Sequence, residues 1–174
     1  EKYIRPFIRN TGPSLSPFNA WVLLKGLETL DLRLNYQVSS TEKIINYLTE
    51  QKFVSEIFYP HYKKNRSYNL AKSQMSAGGT ILSFTMNCKF SLHKKKAFDF
   101  LDNLNLIKIS NNLGDNKSLI THPYTTTHHR LNEKEKRSLR ITKNLIRLSV
   151  GLEDTDDLIR DINDSFNKVF RGKK

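Results

Sequence analysis

Arg147 is the residue whose setting most demands a chemical explanation. It stands in Leu145-Ile-Arg-Leu-Ser-Val150, where Leu145, Ile146, Leu148 and Val150 predict a short strand covered on both faces. A guanidinium there is costly unless an anion meets it. Its planar fork suits a carboxylate held by two parallel hydrogen bonds, which makes a clamp for a small acid substrate one reading. A pair with a protein carboxylate and a place on a solvated edge are the others.

The remaining reactive groups carry less. His122, His128 and His129 have no carboxylate or thiol at a spacing that would complete a metal centre, so no metal site is expected. Asp154, Asp156 and Asp157 resemble a metal cluster, but they stand where a helix start favours anions, with Lys168 and Arg171 at the far end. Ser149 lies in a strand with no nucleophile elbow, which argues against a Ser-His-Asp hydrolase. Gly78-Gly79 lacks the spacing of a phosphate loop and reads as a turn. Cys88 is the one cysteine, so it forms no internal disulfide; it reads as a small core residue in a protein of the reducing cytoplasm.

The elements that must position these groups follow from periodicity. Ser16-Pro17 predicts a helix start, after which Trp21, Leu24, Leu27, Leu30 and Leu34 recur at helical spacing. A second helical stretch, 40–51, turns Ile44, Ile45 and Leu48 to one side, and the two are read as parts of one long, bent helix. Strands are predicted over 54–59, 80–86, 106–109 and 145–150. Helices are predicted over 66–75, over 91–104 with Ala97, Phe98 and Leu101 inward, and from Asn132 to Leu139. A last helix buries Leu158, Ile162, Phe166 and Val169. Strands separated by such helices predict a small sheet with helices on one face, but periodicity does not fix strand direction.

The 174 residues are 37% hydrophobic with seven glycines and five prolines, an ordinary globular composition. No apolar run approaches a membrane helix, and no leader with a cleavage site is recognised. The formal net charge of +12 raises affinity for nucleic acid as a question. The basic residues are dispersed, in Lys63 to Arg66, Lys94 to Lys96, Lys134 to Arg140 and Arg171 to Lys174, so a dedicated nucleic-acid site is not expected. The chain opens on Glu1-Lys-Tyr-Ile-Arg-Pro-Phe7 without a start-like segment, which suggests a piece of something longer.

Several segments together carry a resemblance. They are Arg9-Asn-Thr-Gly-Pro-Ser-Leu-Ser-Pro-Phe-Asn-Ala-Trp21, Gly26-Leu-Glu-Thr-Leu30, Phe84 after Gly78-Gly79, Ser110-Asn-Asn-Leu-Gly-Asp-Asn-Lys-Ser-Leu-Ile-Thr-His-Pro123 with Thr125-Thr-Thr-His128, and Arg147-Leu-Ser-Val-Gly-Leu-Glu-Asp154. From about Tyr3 to Phe166 the chain resembles the carboxyl-terminal part of the Cys/Met-metabolism pyridoxal-phosphate enzymes, the trans-sulfuration family. The Asn111-Asn-Leu-Gly-Asp-Asn-Lys-Ser-Leu119 stretch and Thr125-Thr-Thr-His128 are most similar to its O-succinylhomoserine sulfhydrylase branch. Most of the family has Ser-Leu-Gly-Gly where this chain has Asn112 to Asp115.

The resemblance implies an α+β fold, the carboxyl-terminal small domain of a fold-type-I enzyme, with a mainly antiparallel sheet, helices on one face and a long bridging helix before it. Residues 1–50 would be the end of the large domain and the bridging helix region, and 51–174 the small domain. Arg147 matches the arginine that holds the substrate's α-carboxylate. Asn112 occupies the assisting serine's position, and Leu113 and Gly114 continue a loop that passes close to the bound amino acid; Gly114 is there for space or for an unusual backbone angle.

His122 and His128 fall in the family's entrance loop and shape it or pack beneath it. The implied cofactor is pyridoxal 5'-phosphate, whose Schiff-base lysine in a Ser-x-Thr-Lys setting is not in this chain, so no catalytic residue is assigned here and the chain alone is expected to be inactive. The implied reaction replaces the O-acyl group of an activated homoserine, expected to be succinyl, with sulfide to give homocysteine in methionine biosynthesis. The implied partners are a small amino-acid substrate and further copies in a homo-oligomer. A cystathionine synthase or lyase, a non-catalytic remnant and a basic nucleic-acid-binding module are the alternatives.

Overall fold

The computed structural model describes residues 1–12 and 15–172. Pro13 and Ser14 of the first matching segment, and Lys173 and Lys174 of the last basic cluster, lie outside the described residues. The chain divides into two compact units, Glu1–Arg33 and Leu34–Lys174.

The first unit holds helix α1 (Ile4–Thr11), helix α2 (Pro17–Glu28) and the start of α3 (Leu30–Thr49). Ser16 caps α2 as its sequence predicts, its hydroxyl accepting the Asn19 N–H at 3.2 Å with Pro17 in the first turn. The expected single bent helix is instead two, because Thr29 leaves helical geometry between them. No residue of α1 or α2 is buried, and Trp21, Leu24 and Leu27 all stand more than half exposed. Their helical spacing marks a face that nothing in the described residues covers.

The second unit is built on a five-stranded sheet. Its strands are β1 (Val54–Phe58), β2 (Ile81–Met86), β3 (Lys108–Ile109), β4 (Leu119–Thr121) and β5 (Leu145–Ser149), in the spatial order β1-β2-β5-β4-β3. All neighbours pair antiparallel except β3 with β4. The helices are α4 (Tyr68–Gln74), α5 (His93–Asp102), α6 (Glu133–Ser138) and α7 (Thr155–Phe170). The α+β class and the mainly antiparallel sheet agree with the expectation.

The core lies on one face of the sheet. Ile146, Leu148, Phe84, Leu82 and Ile120 alternate inward along their strands and meet Phe100 of α5, Phe166 and Ile162 of α7, and Ile44 and Leu48 of α3. Phe166 packs on four other phenylalanines, stacked on Phe100 at 4.7 Å between ring centres. The predicted stripe of α7 is buried in full.

Other expectations are corrected. On α5 the inward set is Ala97, Phe100 and Leu101, while Phe98 is 37% exposed at the helix flank with its ring against His122. Four-residue spacing from Ala97 selects Leu101 but does not separate Phe98 from Phe100 until the axis is placed. The strand expected over 106–109 is only two residues long, and β4 was hidden inside a segment read as a loop. Cys88 is half-buried rather than a core residue, and burial pushes its thiol pKa up, away from thiolate reactivity.

Candidate functional site

β5 is the middle strand, so it is hydrogen-bonded on both sides and its residues point alternately to the core and to the opposite face. Ile146 and Leu148 enter the core, while Leu145, Arg147 and Ser149 point the other way. Arg147 stands between Ser83 of β2 and Thr121 of β4, its register partners. Leu145 is as buried as the sequence predicts and Ser149 is buried with it, while Arg147 alone in the strand is half-open.

The covering segment is the loop from Ser110 to Ser118. Arg147 Nη2 donates to the Asn111 carbonyl at 2.8 Å and, more weakly, to the Asn112 carbonyl at 3.4 Å. The Gly114 N–H donates to Ser149 Oγ at 3.0 Å. Asn111 Oδ1 accepts the Thr121 hydroxyl at 3.2 Å, and Thr121 in turn meets Thr126 at 3.0 Å.

Asn112, Leu113 and Gly114 are exposed beside the guanidinium. Gly114 takes φ +75°, and a Cβ there would meet nothing within 4 Å, so backbone angle rather than space demands glycine. The structure thus brings Arg147, Asn112, Leu113 and Gly114 together. Asn111, Thr121 and Ser149, which residue type alone did not single out, complete the arrangement because loop and sheet meet there.

No carboxylate among the described residues pairs with Arg147. Its Nη2 binds carbonyls, which accept hydrogen bonds without cancelling the charge, and burial lowers the guanidinium pKa from the usual arginine value. The Nε–H and Nη1–H groups remain for an incoming anion. A groove of about 1010 Å³ runs along β1 and α4 and reaches this face at Ser83 and Leu145 without touching Arg147. The Arg147 position is therefore part of an open face, not of that groove.

The histidines are occupied by structure. His122 is buried, with Nε2 donating to the Lys143 carbonyl at 2.9 Å and Nδ1 accepting from Thr125 Oγ1 at 2.8 Å. It is buried just after β4, fastened at both ring nitrogens. Nδ1 of His128 meets the Thr127 hydroxyl, and His129 Nδ1 donates to the Thr126 carbonyl.

Burial holds the His122 pKa below its ordinary value of 6.5. Above that value His122 is neutral in both folded and unfolded chains, and its contribution to folding is intact. As pH falls from 6.5 through the lower folded pKa, the unfolded chain takes up the proton first, and stability is lost. Denaturant titrations between pH 7 and 5 are expected to show this loss, and His122→Gln to remove part of that slope. An unchanged slope in the variant would exclude His122 as its source.

The lysine run Lys94 to Lys96 is likewise engaged. Lys94 lies over the Phe98 ring, Lys95 pairs with Asp99 at 2.7 Å, and Lys96 lies over Phe170 while donating to the Val169 carbonyl. Lys136 is nearly buried, its ammonium 4.2 Å from the centre of the Tyr124 ring.

The sequence profile of the Cys/Met metabolism PLP-dependent enzymes matches residues 1–167. The chain belongs to this family. As a family member it is 47% identical over 160 residues to the O-succinylhomoserine sulfhydrylase of Mycobacterium tuberculosis, an alignment covering 92% of this chain and 39% of that protein. A Campylobacter jejuni structure with N'-pyridoxyl-lysine-5'-monophosphate superposes with a TM-score of 0.83 at 39% identity, over 92% of this chain and 38% of the other. Cystathionine gamma-lyase from Lactobacillus plantarum, complexed with L-serine, superposes with a TM-score of 0.82 at 32% identity, over 92% and 41%. The chain therefore spans about two fifths of the length of the relatives it matches.

Pyridoxal phosphate is the family's cofactor. The free guanidinium N–H groups of Arg147 suit a planar or tetrahedral anion. Lys143, the lysine nearest the arginine strand in sequence, is exposed on the preceding turn with its ammonium 5.6 Å from the Tyr124 ring centre. No cofactor lysine is assigned among these residues. Among the described residues no helix is long and apolar enough to cross a membrane.

Proposed function

We propose that this chain is the substrate-orienting part of a pyridoxal-phosphate sulfhydrylase. In this reading the enzyme replaces the O-succinyl group of an activated homoserine with sulfide and forms homocysteine, a step of methionine biosynthesis. One observation carries the assignment: a half-buried arginine in the middle strand faces an open surface, is held by loop carbonyls, and has no carboxylate partner among the described residues. The identity to an O-succinylhomoserine sulfhydrylase supports the choice of acyl group.

In this reading Arg147 binds the α-carboxylate of the amino acid through its free N–H groups. Asn112, beside it, offers a side-chain amide to the same carboxylate, and the Leu113-Gly114 backbone forms the adjoining wall. Fixing the carboxylate at the sheet sets the direction in which the α- and γ-carbons point, a contribution of orientation rather than of bond making. The cofactor supplies the electron sink when bound. The proton transfers and the cofactor contacts are assigned to residues outside this chain, and the chain by itself is expected to be inactive.

Residues 1–50 are proposed to contain the end of a larger domain and the bridging helix, and the uncovered apolar faces of α1 and α2 suit contact with that domain or with a second copy. An amino acid is the proposed small-molecule partner, a homo-oligomer the proposed assembly and the cytoplasm the proposed compartment.

The test is product formation by the holoenzyme containing this chain, supplied with sulfide and either O-succinyl- or O-acetylhomoserine. Homocysteine is expected from both, with the larger kcat/KM for the succinyl ester. Turnover with cysteine to cystathionine, and none with sulfide, would replace the sulfhydrylase reading with the synthase one.

A further inference from the structure

Both ends of the loop over Arg147 are fastened, and the second fastening lies away from the guanidinium. Glu153, in the turn between β5 and α7, accepts two hydrogen bonds from one residue. Ser118 N–H donates to Oε1 and Ser118 Oγ–H to Oε2, both at 2.8 Å. Ser118, fully buried, passes the connection on by accepting the Gly151 N–H at 2.8 Å. Gln37 of α3, also buried, donates from Nε2 to the carbonyls of Asp115 and Val150, each at 2.9 Å. The Leu152 N–H adds a bond to the Asn116 carbonyl at 2.8 Å.

The approach is close enough to exclude a side chain. A Cβ on Gly151 would fall 2.4 Å from Ser118 N and from the Lys117 carbonyl carbon. The loop therefore enters the site from a fixed point, and only three residues separate Ser118 from Gly114.

We propose that Glu153, with Gln37, is a positioning residue that latches the Ser110–Ser118 loop and so sets the placement of Asn111 to Gly114 against Arg147. Neither side chain touches the guanidinium; each acts through the loop. A carboxylate receiving both donors of one buried serine suits this task because charge-assisted hydrogen bonds are the stronger kind and Ser118 has no solvent to bind instead. The inference rests on the carboxylate reading for its functional consequence, but the latch itself does not.

The experiment compares Glu153→Ala, Glu153→Gln and Gln37→Leu with the parent holoenzyme, by amide hydrogen exchange and by steady-state kinetics with the amino-acid substrate. In Glu153→Ala the Gly114 and Ser118 amides are expected to exchange about tenfold faster or more, while Phe84 and Ile146 in the core strands keep their protection. KM is expected to rise about tenfold and kcat to change less than about threefold, the pattern of lost ground-state placement. Glu153→Gln retains an acceptor for the Ser118 N–H and a partner for its hydroxyl, so it is expected to lie within about threefold of the parent on both measures. Gln37→Leu, which frees two carbonyls without touching Glu153, is expected to loosen the same amides.

Unchanged Gly114 exchange in Glu153→Ala would overturn the latch, and so would faster exchange spread equally through the core strands. Arg147→Lys, assayed alongside, keeps two failures apart. If it is inert, the carboxylate reading falls; if it is damaging while Glu153→Ala leaves KM unchanged, the positioning role falls alone.

Discussion

Arg147→Lys in the holoenzyme containing this chain is expected to lower kcat/KM for the amino-acid substrate by roughly a hundredfold to a thousandfold, mostly through KM. Lysine keeps the charge but loses the planar fork, and its ammonium does not serve the loop carbonyls and a carboxylate in the same geometry. Hydrogen bonds to charged groups contribute about 1.5–3 kcal/mol each, so weakening two of them accounts for that range. Because Arg147 is half-open and its Nη2 bonds are to exposed carbonyls, the same change is expected to cost less than about 1 kcal/mol of folding stability. Kinetics and denaturant unfolding on one preparation decide the matter. Unaltered kcat/KM beside a large loss of stability would make Arg147 a structural residue.

Asp161→Ala is expected to cost the fold about 3–5 kcal/mol. Asp161 sits in α7, is 7% exposed, and its carboxylate accepts the N–H groups of Asn105 at 2.8 Å and of Leu106 and Ile107 at 3.0 Å. Truncation leaves three donors without partners where water does not easily enter, and each unsatisfied group costs about 1–3 kcal/mol before relaxation. These donors begin the segment that becomes β3 and then the loop over Arg147, so the loss reaches the site. Asp161→Asn keeps one acceptor oxygen and is expected to cost roughly half as much. A fall of under about 1 kcal/mol in unfolding free energy for Asp161→Ala would show that these amides find other partners.

Residue order alone was enough for several features. The strand around Arg147, the Ser16 cap, the helix start at Asn132 and the buried stripe of α7 depend on contacts three or four residues apart or on alternation within one strand. The family and its fold were legible because motifs such as Asn112 to Asp115 and Arg147 to Asp154 survive as continuous strings.

Only the tertiary structure decided which way those strings face. The sequence left three settings open for Arg147: a protein carboxylate, a solvated edge or a ligand anion. The structure puts it on a central strand, paired on both sides, where it meets the carbonyls of Asn111 and Asn112 and pairs with no carboxylate among the described residues. β4 looked like loop because three residues are too few to show a period, and pairing with β5 made them a strand. Phe98 and Phe100 are both apolar at helical spacing, and only the position of the sheet put one on the flank and the other in the core. Gln37, Ser118, Glu153 and Asp161 read as ordinary polar residues until residues 33 to 113 positions away in sequence supplied their partners. Chain order determines what each segment is able to form; long-range pairing, where hydrogen-bond donors and acceptors must all be satisfied at once, decides which surface becomes the site.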